Sequence, residues 1–594
     1  MSLLSGNVRK SVCLRAAAAG AAVAGLVIAT VPVVPAQSVP ADPSCPVAIP
    51  VSEVVAGMPI SGLTTTSGTT PEEFGGTVLG VLHDGIAPGL DLIMVRLEGS
   101  QITHPDGSLD KGVWAGMSGS PVYTEDGRLL GAVAYGLSFA PSDVAGVTPG
   151  AEMEKLLHSP PSIAVRETAR GARQVTIPDR VARRMISAGE MTRQQADGGF
   201  RHLPMPFSVS GLSNRHLQKI ADRFGIKRPV VVGAGTSADA QPTDIVAGGN
   251  LVGSLSYGDI TYAGIGTATA VCDNEVLAFG HPLLWSGPST LSMHGADAIY
   301  IQRDTVFGSF KVANPSAPSG QITQDRLAGL RGLLGKFPFS TDVTSHVEST
   351  EGNSRDGETV ITVRRYIPFL SVIHLLANAD RVLDQIGSGA ARVRWTIEGT
   401  RQDGSAWEFS RADRYASRFD ITFESIFESY RQISQILRNG FEHVRINDIN
   451  YRATYDPRFH ALEIAKFEIY VNGHWITITS PRPAIKVKAG SEIPVRVTLA
   501  PTSGTGASQR VLLSVTLPKS AQGSGVLSVQ GGAFGRGPKA SSFDELLENL
   551  ANAPRNDDLT AILRVGRKGG GTDTDSHVVS DVVSGNRYVR LNIT

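Results

Sequence analysis

The sequence predicts a mainly β protein with some helices, and three observations carry that expectation. Hydrophobic residues make up 41% of the 594, enough for folded cores. Sixty-five glycines and 34 prolines punctuate the chain at the density expected of many turns and short strands. Between them lie short apolar runs, such as "GGTVLGVL", "DLIMVRLEG" and "GRLLGAVAYG", too brief for long helices. The length is several times that of a typical domain, so more than one core is expected.

Taken in order, the chain opens with Arg9, Lys10 and Arg15, followed by "AAAAGAAVAGLVIATVPVV" and the small residues of "PAQS". This is a secretory signal pattern, expected to span residues 1–36 and to send the protein out through the membrane, to the cell envelope, a periplasm or the exterior. Pro32 and Pro35 favour cleavage over retention as an anchor, so membrane contact is expected only if the segment stays uncleaved. From about 37 to 70 a proline- and threonine-rich stretch contains one expected strand, "CPVAIPVSEV". Residues 50–157 read as short β elements, with Asp126-Gly127 as a hairpin turn. Residues 160–230 turn polar and helical, as in "DRVARRMISAGEMTRQQAD" and "SNRHLQKIADRF". Alternating apolar residues return over 231–340, and 341–594 is expected to be a β-rich C-terminal region. That region also carries helical stretches near 368–386 and 424–441, a sandwich-type strand pair in "SEIPVRVTLAP" and "QRVLLSVTLP", and a helix begun by Ser542 with Glu545 at capping-box spacing.

Lys plus Arg and Asp plus Glu both number 55, which removes the basic balance that nucleic-acid binding calls for. No His, Cys, Asp and Glu set has metal-ligand spacing, so neither metal nor cofactor is expected. Glycine-rich "GRKGGGTDTD" lacks the Lys-Ser/Thr ending of a phosphate loop and reads as a flexible connection. Cys45 and Cys272 remain beyond the signal, and sequence alone leaves their pairing open.

Two stretches carry chemistry. In "GMSGSP", Gly116 and Gly119 allow a tight backbone path around Ser118, and the backbone N–H groups of Gly116, Met117 and Ser118 are placed to hold an oxyanion. The pattern G-x-S-G-x-P belongs to chymotrypsin-like peptidases, whereas an α/β-hydrolase elbow needs glycine where Ser120 stands. A serine hydroxyl requires a base, and His281, between Gly280 and Pro282 at a strand end, competes for that role with His83, His104 and His294.

Both stretches resemble the stage IV sporulation protein B (SpoIVB) serine endopeptidase family, a trypsin-like group, over about residues 50–340. The resemblance rests on "GMSGSPVY" with the trailing "GRLLGAVAYG", and on "GIGTATAVCDNEVLAFGHPL" with "SGQITQDRLAGLRG". It implies a trypsin-like double β-barrel, Ser118 as nucleophile, His281 as base, and an acid upstream of the serine, for which Glu98 is preferred over Asp91 and Asp110. Here the serine stretch precedes the histidine stretch, the reverse of the family's order, and no PDZ-like region comes before it. The implied protein is an exported serine endopeptidase acting on protein or peptide substrates, with self-cleavage between Arg166 and Gly199 as an accessible option. Its rival is a non-catalytic envelope or extracellular binding protein on the same scaffold.

Overall fold

The structure is a computed structural model. It describes residues 45–594 apart from 139–140, 160–173, 204–206, 210–211, 214, 217, 221–240, 242–244, 305–307, 505, 534–538 and 567–570. The signal segment 1–36, part of "SNRHLQKIADRF" and the start of the expected cleavage segment therefore lie outside the described residues.

Two closed six-stranded antiparallel barrels follow one another along the chain. The circuit of the first runs through Pro121–Thr124, Pro59–Thr64, Glu72–Ala87, Leu90–Glu98, Val144–Pro149 and Leu129–Leu137, and returns to Pro121–Thr124. Ile60, Val78, Ile93, Val95, Trp114, Val122, Val133 and Val147 fill it. Period-2 alternation places these side chains inward. The hairpin at Asp126-Gly127 forms as its dipeptide predicts, with Gly127 at φ +81°. The circuit of the second barrel runs through Asn250–Gly258, Gly287–Gln302, Phe310–Arg326, Gly329–Leu334, Glu275–Ala278 and Tyr262–Cys272, and closes on Asn250–Gly258. Cys45 and Cys272 form a disulfide with Cα atoms 4.9 Å apart, which joins the start of the described chain to the second barrel. The stretch "CPVAIPVSEV" is not a strand. Pro46 and Pro50 have no N–H to donate, so Ala48 makes a single bridge to Leu129 and Val51–Glu53 coils into a 3-10 turn.

Between the barrels the polar segment folds into two short helices, Asp179–Ser187 and Arg193–Gly198. They are separated at Gly189, whose φ of +77° ends the first. Thr192 and Gln195 make a reciprocal capping box at the start of the second, a T-x-x-Q signal that the sequence displays plainly.

The expected single β-rich region over 341–594 is two structures. Thr341–Ser349 and Ser354–Ile361 extend the second barrel's sheet outward through Asn250–Gly258. Val444–Asp456 joins them in parallel, followed by the hairpin Gly389–Arg401 with Ala406–Ser417. Helices Ile367–Leu383 and Phe427–Leu437 pack within the same core as this sheet, so this layer is α+β. The sandwich begins only at Leu462. One sheet holds Leu462–Val471, His474–Thr477, Glu492–Pro501 and Gln509–Thr516, and the other Ile485–Val487, Gly523–Gly531, Asp558–Val565, Thr572–Val578 and Asn586–Ile593. The hairpin of Glu492–Pro501 with Gln509–Thr516 pairs as its alternation predicts. Thr572–Val578 is a strand where the "GRKGGGTDTD" connection was expected to be flexible throughout. Helix Phe543–Ala551 ties the sandwich back to the α+β layer: Phe543 packs edge-on to Trp407, and the buried Arg411 guanidinium donates to the carbonyls of Leu550, Ala551, Ala553 and Pro554. Ser542 caps this helix through the Glu545 N–H, but the Glu545 carboxylate turns to Ser541 rather than completing the box.

Candidate active site

The serine turn is shaped by two glycines whose positive φ and close neighbours disfavour any side chain. Gly116 sits at φ +98°, and a Cβ there would fall 2.8 Å from the Cβ of Lys311. Gly119 sits at φ +100°, with its missing Cβ only 1.9 Å from the Thr267 carbonyl oxygen. That closeness lets the turn be stitched to the second barrel. The Thr267 N–H donates to the Ser118 carbonyl at 2.7 Å, the Thr267 hydroxyl to Gly116 at 3.1 Å, and the Thr269 hydroxyl to Gly119 at 2.8 Å. The G-T-x-T pattern at Gly266 to Thr269 is thus the seam on which the serine turn rests.

His281 is aimed by an unusual pair of residues. Phe279 and Gly280, at φ +67° and +65°, are both left-handed, which swings the chain out of strand Glu275–Ala278 and back toward the first barrel. For phenylalanine this costs about 1–2 kcal/mol, offset by complete burial of its ring. The Gly280 carbonyl accepts the hydroxyl of Thr148, a first-barrel residue, at 2.6 Å. The His281 Nε2 then lies 2.8 Å from Ser118 Oγ, and its Nδ1 2.9 Å from the Pro282 carbonyl oxygen. A carbonyl can only accept, so the ring proton is assigned to Nδ1 and Nε2 receives the serine hydroxyl. Burial pushes the imidazole down to about 3, with nearby His202 adding to the effect and the Pro282 carbonyl opposing it. It is therefore neutral, as a base must be.

Two of the three expected oxyanion donors are available. Neither the Gly116 nor the Ser118 N–H has an acceptor among the described residues. Met117 is a correction: its N–H donates to the Trp114 carbonyl at 3.1 Å, closing the turn instead.

The acid is a second correction. Glu98 stands exposed at the end of Leu90–Glu98, its carboxylate beside Gly75 on the neighbouring strand, and is not brought to the imidazole. Nδ1 is already turned to its own chain at Pro282. The rivals are engaged elsewhere: Asp91 pairs with His83 at 3.2 Å and Asp110 with His104 at 3.9 Å. The carboxylate that matters to this loop is Asp325, fully buried, which accepts the N–H groups of Leu283, Leu284 and Ser286 at 2.9, 2.8 and 3.2 Å and so pins the turn that carries Pro282. Its signal in the sequence was an acid embedded in the apolar alternation of "GQITQDRLAGL". Sequence reasoning also missed His202, whose ring stacks on His281 with centroids 5.0 Å apart. Ser118 and His281 both have no solvent exposure. Among the described residues no group of three His, Cys, Asp or Glu side chains is placed to hold a metal ion.

With this geometry in hand, comparison of the chain with protein-family models, curated proteins and solved structures finds no match.

Proposed function

We propose that this protein is a serine endopeptidase working through an acyl-enzyme, similar to the SpoIVB group but with its serine barrel ahead of its histidine barrel. The observation that carries the reading is the 2.8 Å contact of Ser118 Oγ with a neutral, carbonyl-held His281 beside two unoccupied N–H donors. In the forward step Ser118 Oγ bonds to the peptide carbonyl carbon while its proton passes to His281 Nε2. The Gly116 and Ser118 N–H groups take the oxyanion, and the proton then goes to the departing amine as the C–N bond breaks. Water repeats the sequence to free the acid and regenerate Ser118. Orientation of the base falls to the Pro282 carbonyl, with Asp325 as a positioning residue behind it. The Cys45–Cys272 pairing supports placement in an oxidising, exported compartment.

A second reading, a non-catalytic binding protein on the same scaffold, is favoured by one observation, the complete burial of the pair. Covalent labelling decides between them. Reaction of a fluorophosphonate at Ser118, lost in Ser118→Ala, supports the enzyme, and an unlabelled native protein that stays unlabelled after the covering residues are removed supports the binder.

A further inference from the structure

What buries the pair is the chain itself. Strand Leu129–Leu137 is paired with Val144–Pro149 along one side, while on the other Pro121–Thr124 reaches only to Ala132 and Gly119 donates to Val133 at 2.8 Å. Beyond that point the edge would be open. It is filled by residues 199–203, running antiparallel: Phe200 opposite Leu137, Arg201 opposite Gly136, His202 opposite Tyr135. The Leu203 N–H then donates to the Ala134 carbonyl at 2.9 Å.

The register is what matters. Gly119, next to Ser118, is fixed at Val133, and Leu203 at the adjoining Ala134, so a peptide on this edge delivers the residue at Leu203's position beside the serine turn. The Leu203 side chain is 5% exposed and packs in the same core cluster as Met117 and Val133, over Gly136, where a Cβ would fall 2.9 Å from its Cδ2. His202 covers His281. Farther along, Phe207–Val209 pairs with Tyr262–Gly264 of the other barrel, so the segment is held on both barrels that supply the pair.

We infer that residues 199–203 are a resident stand-in for substrate. The true substrate is an extended peptide added as a strand to Ala134–Leu137, with a bulky aliphatic residue where Leu203 lies, and the resident segment leaves that edge before a protein is cleaved. This rests on the serine-peptidase reading.

The test uses the full chain in five forms: wild type, Leu203→Gly, which empties the side-chain site, Leu203→Pro, which removes the N–H, Gly136→Ala, which pushes the segment off from the strand side, and Ser118→Ala as blank. Rates of labelling by a fluorophosphonate need no peptide groove, so they report access to an activated serine. Labelling at least 10-fold faster in the displaced variants than in wild type is the expected result, together with cleavage by Leu203→Gly and Leu203→Pro, whose strand edge is unaltered, of acyl-Phe-Arg-His-Leu-anilide at least 10-fold faster than of the analogue ending in Asp. Equal labelling of wild type and of variants whose melting is unchanged overturns the stand-in and leaves the peptidase reading intact. No labelling in any folded form overturns that reading. Should one variant melt early, either of the other two carries the same comparison.

Discussion

The second barrel holds another serine–histidine pair that matches the first atom for atom. Ser254 Oγ lies 2.8 Å from His294 Nε2, the ring's Nδ1 is 3.0 Å from the Ser316 carbonyl, and both residues are buried. Ser118 and His281 show the same kinds of partner, with Nε2 2.8 Å from the serine Oγ and Nδ1 2.9 Å from a backbone carbonyl. What differs is the backbone. Ser254 sits inside a strand ladder between Ala263 and Ser292, whereas Ser118 sits on a turn between two left-handed glycines with two N–H groups unspent. A hydrogen-bonded serine and histidine are ordinary ways to satisfy buried polar atoms; free donors beside the oxygen are what make acyl transfer accessible.

The most forceful way to break this comparison is to remove each serine. Ser118→Ala and His281→Gln are expected to lower peptide hydrolysis by about 10⁴-fold, with fluorophosphonate labelling abolished in the first and slowed by a similar factor in the second. Ser254→Ala and His294→Gln should leave both within a few-fold of the parent, at a stability cost of about 1 kcal/mol each. Labelling rates alongside thermal melts of the four variants check this, and a Ser254 variant as inactive as the Ser118 one would erase the distinction.

Glycine neighbours sharpen it next. Gly119→Ala forces a methyl into the Thr267 carbonyl at positive φ, and an expected loss of about 3–5 kcal/mol follows from overpacking plus left-handed strain. Gly253→Ala, beside Ser254, meets only the ends of the Ile322 and Leu283 side chains at 2.9 and 3.0 Å, which can shift, so about 1 kcal/mol is expected. Denaturant titration of the two variants measures the difference. A smaller effect belongs to Thr267→Val, which takes away the hydroxyl that the Gly116 carbonyl accepts. It should cost about 1–2 kcal/mol and lower kcat more than it raises KM, because it loosens the oxyanion donor rather than the peptide-binding edge.

How much of this was readable beforehand follows from which forces are local. The glycines around Ser118, the Asp126-Gly127 hairpin and the strand-ending Gly-His are short-range signals, and each lies where its sequence puts it. The acid was not readable, because Glu98, Asp91 and Asp110 are equally acidic on paper and only tertiary pairing shows that Asp91 and Asp110 serve surface histidines while Asp325 is buried under the His281 loop. Met117 was misjudged for a like reason: its N–H looks free until the turn closes on Trp114. The α+β layer was hidden by long-range pairing, since Thr341–Ser349 meets Val444–Asp456 in parallel across about a hundred residues of intervening chain. Nothing local in "GGFRHL" distinguishes a loop from a strand that completes another's edge.

The mildest test is pH, where the two matched pairs should behave alike and a third histidine should not. Burial holds His281 down to about 3 and His294 down to about 4, below the ordinary 6.5 that each regains on unfolding. Between those values the unfolded chain binds more protons, so each contributes a loss of about 1 kcal/mol for every unit that pH falls below 6.5, ending once the folded form protonates. His216 runs the other way. Burial alone would lower it, but Asp380 at 2.5 Å and Asp420 at 2.9 Å outweigh that and hold it up to about 9, so its contribution is complete below 6.5 and fades as pH rises toward 9. Melting temperatures from pH 4.5 to 9.5 should therefore show a flatter acid limb in His294→Gln and a flatter alkaline limb in His216→Gln. Matching acid limbs in His294→Gln and the parent would mean that Ser254 and His294 are more open to water than Ser118 and His281, and that the two pairs differ in burial as well as in backbone.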